Sequence, residues 1–321
     1  MRKQICCNFT DFWEGFDCKY DLDFLLSEYE IVIDQENPDY LFYSCFGNEH
    51  LLYDSCIKIF YCGENIIPDL NFCDYAVSLS EIQCGDRTLT NRLFGWQDNY
   101  NPDLDAEKLL NRKFCNFVYS NNRYANPFRE KLFHTLSEYK RVDAGGALLN
   151  NIGGRVKDKH LFLKEYKFTL AIENSSQSGY VTEKIIHSFR AQSLPIYWGS
   201  PSISSNFRLN SLVNLMDYST VEEMVDEIIR LDNDAAAYLE KITTPFWPYG
   251  DSFEAYYACE NEKRRAFFRN IFDQPLSKAC RRTKYGRVQI YLEEKQRNVL
   301  YDKSIVIKGA RWLYRKLGSV Q

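Results

Sequence analysis

Between residues 166 and 203, the hydrophobic positions change period twice. Residues 168–172 form a short apolar run rich in strand formers, which predicts a strand. Residues 173–179 are polar and predict a loop. Over 180–192 the apolar residues Val181, Ile185, Ile186 and Phe189 recur at helical spacing. Residues 194–198 are apolar again, and Gly199-Ser200-Pro201 stops them. Strand, loop, helix and strand in this length make a βαβ unit. Such a unit places its loop and helix N-terminus at the carboxyl edge of a parallel sheet, where open α/β folds bind ligands. A helix N-terminus attracts anions, because its first N–H groups lack partners and its dipole end is positive. Lys184, in the expected first turn, adds a full charge. The pattern points to a pocket for a phosphorylated ligand. The alternative is a βαβ unit that binds nothing, with Lys184 solvated.

The N-terminal third alternates strand-like and turn-like pieces. Residues 30–33, 40–44, 57–62 and 76–79 read as parallel strands, punctuated by Pro38, Gly63 and Pro68. Residues 99–105 are polar and contain a proline, which suggests a linker. Residues 114–120 then start a second set of strands, 126–136 read as a helix, and 220–241 show further helical periodicity. From 305 to 320 the positions Val306, Ala310, Leu313, Leu317 and Val320 form one apolar stripe. Lys303, Lys308, Arg311, Arg315 and Lys316 supply five positive charges around it. A basic amphipathic helix with Trp312 beside the stripe suits an anionic membrane surface. The alternative is a helix packed on the protein with its charges in water.

Composition narrows the partners. At 321 residues there is room for two domains. The net charge of −4 argues against nucleic acid, so any phosphate-binding charge must be local. The 11 cysteines are odd in number and have no zinc spacing, which reads as reduced thiols in a cytosolic protein. No N-terminal run has signal-peptide form and none of about 18 residues could span a membrane. Aromatic residues are dense. Phe9, Trp13, Phe46, His50, Trp96 and Tyr100 form either a sugar platform or part of the core.

The segment YKFTLAIENSSQSGYVTEKIIHSFRAQSLPIYWGSPSI resembles the core motif of the GDP-fucose-dependent α1,3-fucosyltransferases, especially the bacterial members. Glu173, Asn174, Gly179, Tyr180, Val181, Thr182, Glu183, Lys184 and Ile185 match, as do Pro195 to Pro201. Three further places agree in order: FYCGEN at 60–65 followed by CDYAVS at 73–78; FVYSN at 117–121 with Arg129 downstream; and EYKRVDAGGALLNNIG at 138–153. The resemblance runs from about residue 59 to residue 201.

The resemblance implies an α/β protein of GT-B architecture, two Rossmann-like domains facing across a cleft. It places acceptor binding in residues 1–105 and GDP-fucose binding in 106–298, with 299–321 as a basic amphipathic C-terminal segment. It implies inverting α1,3 transfer of L-fucose to the N-acetylglucosamine (or glucose) of a β-galactoside, in lipopolysaccharide or capsule assembly. The enzyme would be cytoplasmic and peripheral to the inner membrane. An α1,4 linkage or another nucleotide sugar on the same fold is the neighbouring alternative. A non-catalytic, membrane-peripheral glycan-binding module is the alternative from another class.

The same likeness assigns roles. Glu64, after the strand 57–62 and the flexible Gly63, matches the catalytic base; without the motif it reads as a surface turn glutamate. A carboxylate beside a closing cleft loses solvent, which raises its proton affinity toward a useful range. Arg129 and Lys184 match the diphosphate-binding cations, Arg as a planar fork and Lys as a compact charge. Glu183 matches an acceptor for ribose hydroxyls. Asn174 and Tyr180 match other donor-site positions. Glu173 either orients Lys184 or contacts fucose. The DxD triplets at 21–23 and 103–105 are read as solvated loop or helix-start acids, and no obligatory metal or cofactor is expected beyond the GDP-fucose substrate.

Overall fold

A computed structural model describes residues 2–93, 104–120, 122, 125–249 and 252–283, with 285, 286, 288, 292 and 309. Six strands form the first sheet: β1 (Lys3–Thr10), β2 (Tyr29–Ile33), β3 (Tyr40–Tyr43), β4 (Ile57–Cys62), β5 (Tyr75–Ser78) and β6 (Thr88–Thr90). Their order is β2-β1-β3-β4-β5-β6. Five form the second: β7 (Lys113–Phe117), β8 (Val142–Ala144), β9 (Tyr166–Ile172), β10 (Leu194–Trp198) and β11 (Val213–Asn214), in the order β11-β10-β9-β7-β8. All the pairings are parallel. This is the expected α/β arrangement of two Rossmann-like halves.

Parallel sheets are covered on both faces, so their strands read as continuous apolar runs. Every residue of β4 and of β9 is buried, which is why these two were legible in the sequence. Strand β1 was not anticipated, although it pairs with both β2 and β3. Cys6, Asn8 and Thr10 interrupt its apolar positions. Asn8 is nonetheless buried, because its Nδ2 donates to the Tyr53 hydroxyl at 2.8 Å.

Three helices differ from the sequence reading in their bounds. The one expected over 180–192 begins only at Glu183 and ends at Arg190. Thr182 caps it, its side chain accepting from Lys184 N, so Tyr180 and Val181 belong to the loop. The expected 126–136 helix spans Phe128–Tyr139. The periodicity of 220–241 divides into Val221–Asn233 and Ala235–Thr243, because Asp234 leaves helical geometry and caps the second piece through Ala237 N.

The long Phe253–Phe272 helix joins the two halves. Phe253 and Tyr256 pack with Ile185, Phe189 and Trp247 beside the second sheet. Phe267, Phe268, Ile271 and Phe272 pack with Ile5, Phe42, Ile59 and Tyr61 of the first. The stretch 253–279 therefore contributes core to the first sheet, although the sequence reading grouped it with the second unit. Trp96, Tyr100, most of the expected 99–105 linker and the 305–320 stripe apart from Gly309 lie outside the described residues.

Candidate active site

Two carboxyl edges meet at the site. Glu64 follows β4, and Glu173 and Asn174 follow β9. Glu173 N donates to Trp198 O at 2.8 Å, tying the loop after β9 to the end of β10.

Glu173 is fully buried. Its carboxylate accepts from Thr182 N at 2.8 Å, from the Thr182 hydroxyl at 2.9 and 3.0 Å, and from Lys184 Nζ at 2.9 Å. Burial pushes its proton affinity up; Lys184 and the Thr182 N–H pull against that without overcoming it. The ion pair is the contact that orienting Lys184 requires. Lys184 Nζ also donates to the Thr182 hydroxyl at 2.9 Å, so the ammonium is fixed at the start of its helix.

Arg129 is 1% exposed, on the Phe128–Tyr139 helix. It is therefore not a solvated charge on the helix surface. Its guanidinium donates to Ile172 O at 3.0 Å and to Asn174 Oδ1 at 2.6 Å, and lies 4.1 Å from the centre of the Tyr119 ring. Its buried Nε has no partner. Among the described residues it pairs with no carboxylate. A buried cation with only neutral partners is costly unless an anion arrives.

Tyr180 is buried, and its hydroxyl is pushed above its ordinary range by burial first, then by the carboxylates of Glu173, Glu64 and Glu183. Glu183 is about half exposed. Partial burial would lift its carboxyl, but Lys184, its own backbone N–H and Lys159 hold it below the usual range. Lys159 and His187 were not singled out from the sequence. Lys159 Nζ donates to His187 Nδ1 at 2.9 Å. Burial and then Lys159 push His187 down to about 4, so its ring is neutral and accepts. Their approach is tertiary, 28 residues apart, and left no local signal.

Glu64 is exposed, and the loss of solvent expected for it is not present here. It lines a cavity of about 220 Å³ with Trp13, Phe46, Gly63 and Leu79 from the first half and Thr182 and Glu183 from the second. The halves touch beside it. Asn65 Nδ2 donates to the Ser175 hydroxyl, and Gly179, at φ 85°, passes so close to Leu79 that a Cβ there would lie 2.1 Å from Leu79 O. A larger cavity of about 480 Å³ opens at the far edge of the first sheet, near Asp39, Asp54 and Arg282, and none of the site residues lines it.

Two of the described acidic triplet residues are committed to local structure. Asp21 accepts from Asp17 N at 3.0 Å, and Asp105 caps a short helix through Glu107 N and Lys108 N. Among the described residues no group of three His, Cys, Asp or Glu is arranged to hold a metal ion. The 11 cysteines are free thiols. No described helix is long and apolar enough to cross a membrane.

The chain is similar to known proteins. A family model described as the alpha-(1,3)-fucosyltransferase FucT N-terminal domain matches residues 7–96. A second, described as glycosyltransferase family 10 (fucosyltransferase) C-term, matches 109–247. The alpha-(1,3)-fucosyltransferase FucT of Helicobacter pylori is 31% identical over 296 residues, covering 78% of this chain. The match spans 62% of that relative's length. A crystal structure of an alpha1,3-fucosyltransferase with GDP superposes with a TM-score of 0.70 at 28% identity, covering 85% of this chain and 91% of the other. One with GDP-fucose gives 0.63 at 28% identity, covering 82% and 92%.

Proposed function

The chain belongs to the glycosyltransferase family 10 fucosyltransferases, and we propose that it moves L-fucose from GDP-fucose to the N-acetylglucosamine (or glucose) of a β-galactoside, forming an α1,3 linkage with inversion. The observation that carries this reading is Arg129, a buried guanidinium with no counter-charge among the described residues. A diphosphate supplies that charge, and the planar fork matches its oxygens.

The chemistry follows from position. GDP-fucose occupies the second half, its diphosphate held by Arg129, Lys184 and the N–H groups of the Glu183–Arg190 helix. Glu183 accepts from the ribose hydroxyls, with Lys184 and Lys159 keeping it ionised. Asn174 and Tyr180 complete the donor pocket, and Glu173 aims Lys184. The acceptor hydroxyl attacks the anomeric carbon from the first half's side while the bond to the β-phosphate oxygen breaks. Glu64 takes the hydroxyl proton. Arg129 and Lys184 stabilise the departing GDP, which places the leaving-group charge on protein cations without an obligatory metal. Bound substrates remove water around Glu64 and make it a stronger base.

The site of action is proposed on the same footing. The enzyme works at the cytoplasmic face of the inner membrane in lipopolysaccharide or capsule synthesis, with the basic stripe of 305–320 on anionic lipid. Acceptor binding belongs to the first half and donor binding to the second. The test is a transfer assay with GDP-fucose and other nucleotide sugars against lactose, N-acetyllactosamine and its β1,3-linked isomer, with linkage read by NMR. An α1,3-fucosylated product from GDP-fucose supports the reading. Transfer from another nucleotide sugar in preference, or binding without transfer, refutes it.

A further inference from the structure

The cavity at Glu64 has one wall that the donor chemistry leaves unused. Trp13 and Phe46 form it, and Phe46 keeps 51% of its surface exposed. Their rings lie 6.4 Å apart and nearly perpendicular, at 78°. Phe16 backs Trp13 at 5.2 Å, and Phe12 stacks on Phe16 at 3.8 Å. The two residues come from loops after β1 and β3, neighbours in the sheet, and β3 in turn adjoins β4, the strand that Glu64 follows.

Asp11 binds these loops together. Its backbone oxygen accepts from Phe46 N at 3.0 Å. Its carboxylate accepts from Glu49 N at 2.8 Å and His50 N at 2.9 Å, and contacts His50 Nδ1 at 2.6 Å. Asp11 itself sits at φ 60°, a left-handed conformation uncommon for any residue but glycine. Gly47 permits the approach, since a Cβ there would lie 2.2 Å from Asp11 Oδ1. Buried Lys58 supports the same loop from below, donating to His50 O at 2.7 Å. Strained backbone and a built hydrogen-bond set hold two aromatic rings at a fixed angle beside the base, a combination that marks functional loops.

We propose that Trp13 and Phe46 are the acceptor platform, taking the apolar face of a galactose ring, with Asp11 as the residue that positions both. The inference rests on the fucosyl-transfer reading above. In β-galactose the axial 4-hydroxyl leaves the C–H groups of C3, C4 and C5 on one continuous apolar face, which packs on aromatic rings. Glucose, with an equatorial 4-hydroxyl, presents a less continuous face. A cavity of about 220 Å³ is smaller than the roughly 300–1,000 Å³ of pockets that enclose a whole ligand, so it grips one ring beside the donor. Galactose on the platform presents its neighbouring sugar's hydroxyl to Glu64. Of the six aromatic residues singled out in the sequence, Phe9 instead stacks on Phe42 at 5.0 Å and His50 on Tyr43 at 4.3 Å.

The test uses the full chain with lactose and cellobiose, which differ in the outer 4-hydroxyl. Trp13→Ala and Phe46→Ala should each raise KM for lactose about tenfold, while GDP affinity by calorimetry stays within about twofold. The preference for lactose over cellobiose should collapse in Trp13→Ala and return in Trp13→Tyr. Asp11→Asn should raise the lactose KM more than it lowers kcat, a split that a loss of folding does not produce. Phe46 is exposed, so its variant folds even if that of Trp13 does not. Unchanged lactose KM and preference in Phe46→Ala and in any folded Trp13 variant overturns the platform while leaving fucosyl transfer standing. Failure of the unaltered protein to fucosylate any β-galactoside overturns the underlying reading instead.

Discussion

Lys184 Nζ lies 2.9 Å from the carboxylate of the fully buried Glu173. The cation proposed to bind the diphosphate is thus held by a group that solvent cannot reach. Removing one member of a buried pair strands the other, at a cost of about 3–5 kcal/mol. Lys184→Met should therefore lower stability in urea unfolding as well as GDP affinity. The double variant Glu173→Gln/Lys184→Met should recover most of the stability and none of the affinity. Recovery of both would make Lys184 structural only.

Glu173 also predicts a pH dependence. Its folded proton affinity is raised by burial, so its contribution to stability is fully present below the unfolded carboxyl range, about pH 4.3, and is lost as pH rises through the folded value. The stability advantage of the natural chain over Glu173→Gln should shrink as pH is raised from 4 to 7. An advantage that grows instead would mean that Lys184 outweighs burial.

Among the described residues the Arg129 guanidinium donates to Ile172 O and Asn174 Oδ1. Charge-assisted hydrogen bonds contribute about 1.5–3 kcal/mol, so Arg129→Lys should weaken GDP by about 10- to 150-fold in calorimetry. The lysine keeps the charge and loses the fork. Native affinity in that variant removes the guanidinium from the donor site.

Gly179, at φ 85°, packs tightly against Leu79 O of the other half. Gly179→Ala adds left-handed strain of about 1–2 kcal/mol and a clash that pushes the halves apart. Transfer should fall more than tenfold with GDP binding largely kept, because alignment across the cleft is sensitive to about 1 Å. X-ray scattering should show a wider molecule. Full turnover would show that this contact does not set the cleft.

The sequence made some of this arrangement visible and hid the rest, for physical reasons. Strands β4 and β9 are buried on both faces and showed as unbroken apolar runs. Strand β1 did not, since Asn8 is satisfied by Tyr53, 45 residues away. The cap at Thr182 displaced the expected helix start by three residues, because the apolar period continued back through Val181. Arg129 stood out only through a motif likeness; its neighbours Pro127 and Glu130 gave no hint that a charge on that helix would be buried. The return of the Phe253–Phe272 helix to the first sheet left no trace in local periodicity, because a helix packing on two cores shows no single apolar face.

Glu64 is the proposed base opposite a proposed cationic donor pocket. The most direct measurement is fucose transfer from GDP-fucose to N-acetyllactosamine in EDTA, comparing the natural chain with Glu64→Gln, and GDP binding followed in parallel. The account predicts transfer in EDTA by the natural chain, a loss of about 10²- to 10⁴-fold in the variant, and equal GDP affinity in both. Near-native transfer by Glu64→Gln, or activity only after Mn²⁺ is added, would contradict it.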